Sequence, residues 1–460
     1  MLRTGRLAVC GIAALVAGGY GLHAWVRDAT HAPWNVLVVT LDTTRADRLG
    51  AYGFADAGTP TLDRLARQGT LFEQAETVAP LTLPAHCSLF TGRYPFQHSV
   101  HENGVPLPST ERTLAQILQA RGYRTAAFTA AYVLDARWGL SRGFDRYDGV
   151  PPSVDEPGRR RNRRPANDVV DAALAWLDTA RGSPFFAWLH LYDAHAPYDT
   201  SDRTRPPGYQ AAIGFMDAQL DRVIGFLDAH HLRDRTVIVV AGDHGESLGD
   251  HGERTHGFFV YESVTRVPLI VVAPPAATQG RRIADAVRTV DVLPTLLDLL
   301  QIPPPVSLAG ASLVSRMTGA ARGPLRDAYI ETMFPRDRFG WSELRAIRSG
   351  RFKAIAAPRP ELYDLEVDPS ESVNIYDTRP AAAEPLFANL RALDPIPDAG
   401  ASRPSLDRDA AERLSALGYV GRSGVVDAPT GTPLADPKDK LSLYLLITSD
   451  PTRDVPGRTR

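Results

Sequence analysis

Unbroken apolar runs recur along the chain, each closed by a polar or glycine-containing turn. Asn35–Leu41 (NVLVVTL), Phe185–Leu191 (FFAWLHL), residues 236–241 (TVIVVA) and residues 267–273 hardly alternate, the pattern of strands covered on both faces. Residues 125–129 predict a shorter strand. Between these runs the apolar period lengthens to that of helices: residues 110–121, residues 167–180 with Val169, Ala173, Leu174 and Leu177 on one stripe, Tyr209–Ala229, and residues 289–300 despite Pro294. Thr59-Pro60-Thr61-Leu62 opens a further helix with Leu62, Leu65 and Ala66 on one face. Strands alternating with helices predict an α/β fold with a largely parallel central sheet and helices on both sides.

Past Pro303 the pattern changes. Residues 329–331, 344–347, 352–355 and 361–365 predict the strands of a smaller antiparallel sheet, followed by a helix near residues 385–393. The expected organisation is a leader (1–33), an α/β domain (34–305), a small α+β unit (306–395) and a Pro-, Asp- and Arg-rich tail (396–460). That tail is expected to be loosely ordered apart from a helical stretch at 410–417. No internal repeat is present.

Composition narrows the picture only modestly. Of the 460 residues 44% are hydrophobic and 23% charged, and the formal net charge is −2, so no global field points to nucleic acid. The run Arg159 to Arg164 (RRRNRR) reads as a solvated loop or as a local contact for an anionic polymer or head group. Two cysteines, Cys10 and Cys87, give no disulfide framework. Residues 7–25 are charge-free, follow Arg3 and Arg6, and have about the length that spans a bilayer. They read as a secretory signal or an uncleaved anchor, the poor cleavage site favouring the anchor. Either way the expected location is anchored at the cell membrane or secreted, with the main domain periplasmic or extracellular.

The candidate chemistry centres on A-P-L-T-L-P-A-H-C-S-L-F-T-G-R at residues 79–93. A short helix is expected from Thr82 to Gly92, with Thr82 as its N-cap and Pro84 in the first turn. That puts a hydroxyl at the positive end of a helix, where an anionic ester is favoured. Asp42 ends the first buried strand, and Asp243-His244 ends the one at 236–241. Ligands collect beyond the carboxyl ends of strands in such sheets, so Asp42, Asp243, His244 and the Thr82 oxygen form a candidate site for one divalent cation. His195 follows a third buried strand and reads equally as structural or catalytic. Asn103 reads as a turn residue or as a neutral donor to an anionic oxygen. His251 and His256 lie in a loop rich in charge and glycine.

These residues resemble the sulfatase family within the alkaline phosphatase superfamily. Four blocks carry the resemblance: N-V-L-V-V-T-L-D-T-T-R-A-D at 35–47, residues 81–93, residues 240–268 with G-D-H-G-E and Y-E-S-V-T-R-V-P, and E-L-Y-D-L-E-V-D-P-S-E-S-V-N at 361–374. The family heads its C/S-x-P-x-R motif with a residue oxidised to formylglycine. Here Thr82 stands at that head, and its secondary alcohol cannot give the aldehyde. His86 stands where the motif has Arg, and Cys87 lies outside it. Thr43 replaces the second acidic residue after Asp42, and His244 replaces an Asn. The resulting donor set suits Mn or Zn better than Ca.

By the resemblance, Asp42, Asp243 and His244 would hold the metal, with Thr82 as both ligand and nucleophile. His195 would bind a non-bridging oxygen, and His86 and Asn103 would face the substrate. His256, where the family has Lys, would steady the anion or protonate the leaving oxygen. The implied activity is metal-dependent hydrolysis of a small-molecule, glycan or lipid ester, with phosphate or phosphonate favoured over sulfate. The alternatives are a membrane-tethered phospho-group transferase and a catalytically degenerate binding module. A-A-E-R-L-S-A-L-G-Y-V-G at 410–421 and Asp436 to Lys440 resemble the junction at which some membrane-associated bacterial relatives continue into helical repeats.

Overall fold

The computed structural model describes residues 33–448 except 151–153, 157, 158, 161, 203, 205, 206, 275–279, 306, 307, 321–325, 394–405, 418 and 420–432. The leader and residue 161 of the basic run therefore lie outside the described residues. No described helix is long and apolar enough to cross a membrane.

The apolar runs form the middle of an eight-stranded sheet. In chain order its strands are β1 (Asn35–Leu41), β2 (Thr70–Glu76), β3 (Arg124–Phe128), β4 (Arg146–Asp148), β5 (Phe185–Leu191), β6 (Thr236–Gly242), β7 (Arg266–Val272) and β8 (Arg281–Arg288). They are arranged β8-β2-β7-β6-β1-β5-β3-β4. β1 is wholly buried and runs parallel to both neighbours, with Leu41 level with Leu191 on one side and Gly242 on the other. This register delivers Asp42, Tyr192 and Asp243 to one edge of the sheet.

One strand departs from the parallel expectation. β7 pairs antiparallel with both β6 and β2. The chain leaves β6 at Gly242 and re-enters the sheet at Arg266 with only the short helical turns Asp250–Gly252 and Glu262–Thr265 between them, so no crossover helix carries it to the opposite edge. β2 and β8 escape a hydrophobicity reading because TLFEQAE and RRIADAVR carry charges, and β8 lies at the sheet edge.

Helices Ala166–Ala180 and Tyr209–Ala229 flank the sheet much as expected. The helix expected at 110–121 shortens to Leu114–Gln119 because Thr113 and Gln116 form a capping box. Residues 289–300 divide into a 3₁₀ turn, Thr289–Asp291, and a helix, Val292–Leu299. Pro294 lies in the first turn of that helix, where no N–H is needed.

The four strands β9 (Ala328–Thr332), β10 (Leu344–Ser349), β11 (Phe352–Ala356) and β12 (Glu361–Asp364) form the small antiparallel sheet. Buried charge fastens it to the large one. Lys353 Nζ lies 2.9 Å from Glu262 Oε1 and 3.2 Å from Glu371 Oε1, and Arg348 bridges Glu76 and Glu262. Where the tail is described it is packed, against the expectation of loose order. Arg408–Ala416 and Pro437–Thr448 are helices, and the Tyr444 ring stacks 4.4 Å from Phe258.

Candidate active site

Thr82 opens the helix Thr82–Thr91, all ten residues of which are buried. Thr82 is its first helical residue and Leu81 the cap, so the hydroxyl is not spent on capping as the sequence suggested. Asn103 caps the helix instead, its Oδ1 accepting from the Leu83 N–H at 2.9 Å. The contact fixes the amide orientation and leaves Asn103 Nδ2 as a buried donor with no partner among the described residues.

The Thr82 hydroxyl meets both strand ends. Its Oγ1 lies 3.3 Å from Asp42 Oδ2 and 3.3 Å from His244 Nε2. Behind these, Thr43 adopts φ 50°, a left-handed conformation unusual for a β-branched residue. The turn aims the Thr43 N–H at Asp243 Oδ1, 3.2 Å away. Tyr209 pins the same turn, donating to the Thr43 carbonyl at 2.6 Å and accepting from the Arg45 N–H at 2.9 Å. Gly245 admits the backbone of Ser263, whose carbonyl oxygen would lie 2.2 Å from an added Cβ.

The hydrogen-bond partners assign the tautomers of the histidines. His244 Nδ1 lies 3.0 Å from the Gly245 carbonyl and His195 Nδ1 2.9 Å from the Ala196 carbonyl. Carbonyls only accept, so both Nδ1 atoms carry the proton and both Nε2 atoms present a lone pair. His195 Nε2 is buried without a partner among the described residues. His256 Nδ1 lies 3.0 Å from Glu246 Oε1, which likewise leaves a lone pair on Nε2, 3.5 Å from the Tyr419 hydroxyl. His190 is the reverse case. Its Nδ1 accepts from Ala130 N–H at 3.3 Å, so Nε2–H donates to Asp42 Oδ2 at 3.0 Å.

His86 has both nitrogens engaged. Nδ1–H donates to the Thr82 carbonyl at 2.7 Å, while Nε2 faces Thr40 Oγ1 at 2.9 Å. Trp188 Nε1 donates to the same Thr40 oxygen, leaving the Thr40 proton for His86. The side chain is fully buried, with both ring nitrogens held by Thr82 and Thr40.

Among the described residues, two groups of side chains have donor atoms close enough to share an ion: Asp42, Asp243 and His244, and His86, His190 and Asp243. The hydrogen bonds separate them, because in the second group both imidazoles are already committed. In the first, Asp42 Oδ1 and Asp243 Oδ2 are buried without partners among the described residues and His244 Nε2 offers its lone pair. Burial drives the Asp42 and Asp243 carboxyls well above the usual carboxylate range, with their mutual repulsion adding for Asp243. Burial also pushes His244 down to about 4. Two orphaned carboxylate oxygens and a free imidazole nitrogen form a donor set that a small divalent cation fits.

The residues expected at the site thus gather around Thr82, except that His86 lies beneath it. His251 stands apart, stacked 3.6 Å from the Tyr261 ring. Three residues escape a reading of the sequence. His190 is the one polar break at the end of an apolar strand, Glu246 closes G-D-H-G-E, and Tyr419 follows a glycine in the tail. The Tyr419 hydroxyl lies 3.4 Å from Thr82 Oγ1 and 3.5 Å from His256 Nε2.

The family model described as "Sulfatase" matches residues 34–302, more than half of the chain. The chain belongs to the sulfatase family. A second model, "N-sulphoglucosamine sulphohydrolase, C-terminal", matches residues 249–392, so the small sheet is part of the sulfatase match. An ulvan-active sulfatase from Formosa agariphila is 26% identical over 74% of this chain and 76% of its own. A multifunctional alkaline phosphatase superfamily protein, PehA of Trinickia caryophylli, is 25% identical over 77% and 92%. Among solved structures, the phosphonate monoester hydrolase of Agrobacterium radiobacter has the same fold, with a TM-score of 0.67 and 22% identity, covering 78% of this chain and 95% of that one. This sulfatase is accordingly a hydrolase of the sulfuric and phosphoric ester class.

Proposed function

We propose that this sulfatase-family chain hydrolyses phosphate or phosphonate esters in preference to sulfate esters, using Thr82 as nucleophile. The observation that carries the reading is the Thr82 hydroxyl, held 3.3 Å from both Asp42 Oδ2 and His244 Nε2 at the start of a buried helix. Asp42, Asp243 and His244 are the residues that would hold a divalent cation, Mn or Zn by donor type, together with the Thr82 oxygen. When bound, such a cation lowers the pKa of the hydroxyl and offsets charge on the transferred group.

The side chains divide the remaining work. Thr82 Oγ bonds to phosphorus while the ester oxygen departs, and water then cleaves the Thr82 ester, releasing the acid and restoring the hydroxyl. His256, with Nδ1–H held by Glu246, presents a lone pair at Nε2 that can carry the Thr82 hydroxyl proton to the departing oxygen and then return a proton of the incoming water to the Thr82 oxygen. His195 Nε2 and Asn103 Nδ2 bound the space around the oxygens of the transferred group. His190 and His86 are positioning residues, the first orienting Asp42 and the second tying the Thr82 carbonyl to β1.

Matched aryl phosphate, phosphonate and sulfate esters offered to the purified full chain with Mn or Zn test the preference. Faster turnover of the phosphorus esters is expected. Turnover of the sulfate alone would overturn it, and the ulvan-active relative would then be the better guide to substrate.

A further inference from the structure

The helix Arg408–Ala416 is anchored without any contribution from the site. Asp407 caps it by accepting from Ala410 N–H at 2.7 Å and pairs with Arg137 Nη1 at 3.1 Å. Arg413 lies 3.6 Å over the Tyr132 ring and donates from Nε to Asn162 Oδ1 at 2.9 Å. Leu414 closes on Gly104, next to Asn103, with Cδ1 2.7 Å from where a Cβ would stand. Beyond the helix the chain turns back sharply, the N–H groups of Leu417 and Tyr419 both reaching the Leu414 carbonyl, at 3.1 and 3.0 Å.

That turn delivers a phenol into the site. Tyr419 is 4% exposed, and its ring lies 6.4 Å from that of His195 and 6.3 Å from that of His256. Its hydroxyl contacts, 3.4 Å to Thr82 Oγ1 and 3.5 Å to His256 Nε2, are at the outer limit of hydrogen bonding. A buried hydroxyl normally closes to about 2.7–2.8 Å on a partner, and packing alone would be served by Phe. The donor is therefore held beside Thr82 at a spacing that leaves it incompletely satisfied. The unpartnered Nε2 of His195 and Nδ2 of Asn103 are buried in the same site.

We propose that Tyr419 is a substrate-contacting residue, its hydroxyl donating a hydrogen bond to a non-bridging oxygen of the phosphoryl or sulfuryl group held over Thr82. The tail thereby supplies one wall of the active site, and the helix at 408–416 is the device that places it. This rests on the reading of Thr82 as nucleophile. A neutral donor to an anionic oxygen is worth about a 10- to 100-fold change in rate, greatest where charge on that oxygen peaks.

The test is Tyr419→Phe in the full chain, assayed with an aryl phosphonate and with inorganic vanadate as a competitor that mimics the five-coordinate transition state. The expected result is an unchanged melting temperature, kcat/KM lower by about 10- to 100-fold, and vanadate inhibition weakened more than inhibition by inorganic phosphate. Leu414→Ala, which removes the contact with Gly104 and loosens the anchor, is expected to lower kcat/KM in the same direction and to add little in the double variant. Kinetics within twofold of wild type for Tyr419→Phe would overturn the proposal. Increased activity would also overturn it, making the phenol an occupant that substrate must displace. Should the wild type hydrolyse no ester, the Thr82 reading fails by itself, and calorimetric binding of inorganic phosphate decides about Tyr419. Weaker binding by the variant supports the contact, and equal binding overturns it.

Discussion

His244 Nε2 faces Thr82 Oγ1 across 3.3 Å, and its lone pair is free because Nδ1–H is spent on the Gly245 carbonyl at 3.0 Å. The same loop thus selects the tautomer and aims it. Beside it, Asp42 Oδ1 and Asp243 Oδ2 have no hydrogen-bond partner among the described residues.

Metal removal follows from that imbalance. Chelation is expected to abolish ester turnover, and Zn or Mn to restore it. Asp243→Asn is expected to resist restoration, yet its metal-free form should melt no lower than the metal-free wild type, since the repulsion between two buried carboxyls is relieved. Scanning calorimetry with and without chelator checks both, and a metal-free Asp243→Asn that melts markedly lower would count against the assignment.

Glu246→Gln tests the orientation of His256. The amide keeps the shape of the side chain but removes the carboxylate that holds Nδ1–H at 3.0 Å. A fall in kcat of about 10- to 100-fold with little change in KM is expected from losing such an orienting partner. Steady-state kinetics on an aryl phosphonate would show it, and an unchanged kcat would remove Glu246 from the account.

The sheet-to-sheet junction predicts a stability effect away from the chemistry. Lys353→Met leaves Glu371 without the ammonium 3.2 Å away and deprives Glu262 of one of its two cations. The expected loss is about 3–5 kcal/mol. Urea denaturation measures it, and a loss under about 1 kcal/mol would mean that the junction tolerates unpaired carboxylates.

The acid limit of stability is expected to include His98. Burial, with His101 and Arg93 adding, lowers its pKa to about 3, so it is neutral in the fold and accepts from Val100 N–H at 3.1 Å. The unfolded chain, with a His near its ordinary 6.5, binds one proton more between these values, so stability is lost as the pH falls from 6.5 toward 3. One proton corresponds to about 1.4 kcal/mol per pH unit. His98→Gln is expected to flatten the pH dependence of the urea midpoint by about that slope, and an unaltered dependence would contradict the assignment.

How far these features are legible in the sequence varies with the kind of signal. The strands β1, β5 and β6 are largely apolar and wholly buried and announce both themselves and the polar residues at their ends, so Asp42, Asp243 and His195 emerge from pattern alone. β8 does not, because an edge strand needs no apolar run, and the direction of β7 depends on a connection whose length carries no hydrophobic signature. Thr82 and Asn103 are both visible, but the sequence puts the cap on Thr82, since which of two polar groups reaches Leu83 N–H depends on a loop returning from twenty residues away. His86 sits at a position the motif assigns to substrate, and the sequence carries no sign that its two nitrogens meet the Thr82 carbonyl and Thr40 Oγ1. Tyr419 stands in a stretch expected to be loose, where composition says nothing of the few anchors, Arg413, Leu414 and Asp407, that fix it.

The most direct test of the central claim is a comparison of Thr82→Ala with the wild type on an aryl phosphonate, in the presence of Zn or Mn. The account predicts that removing the attacking oxygen lowers kcat by about 10³-fold or more while the fold and the bound metal are retained. A variant that keeps most of its turnover would show that the bond is broken without Thr82, and would contradict the nucleophile assignment on which the mechanism rests.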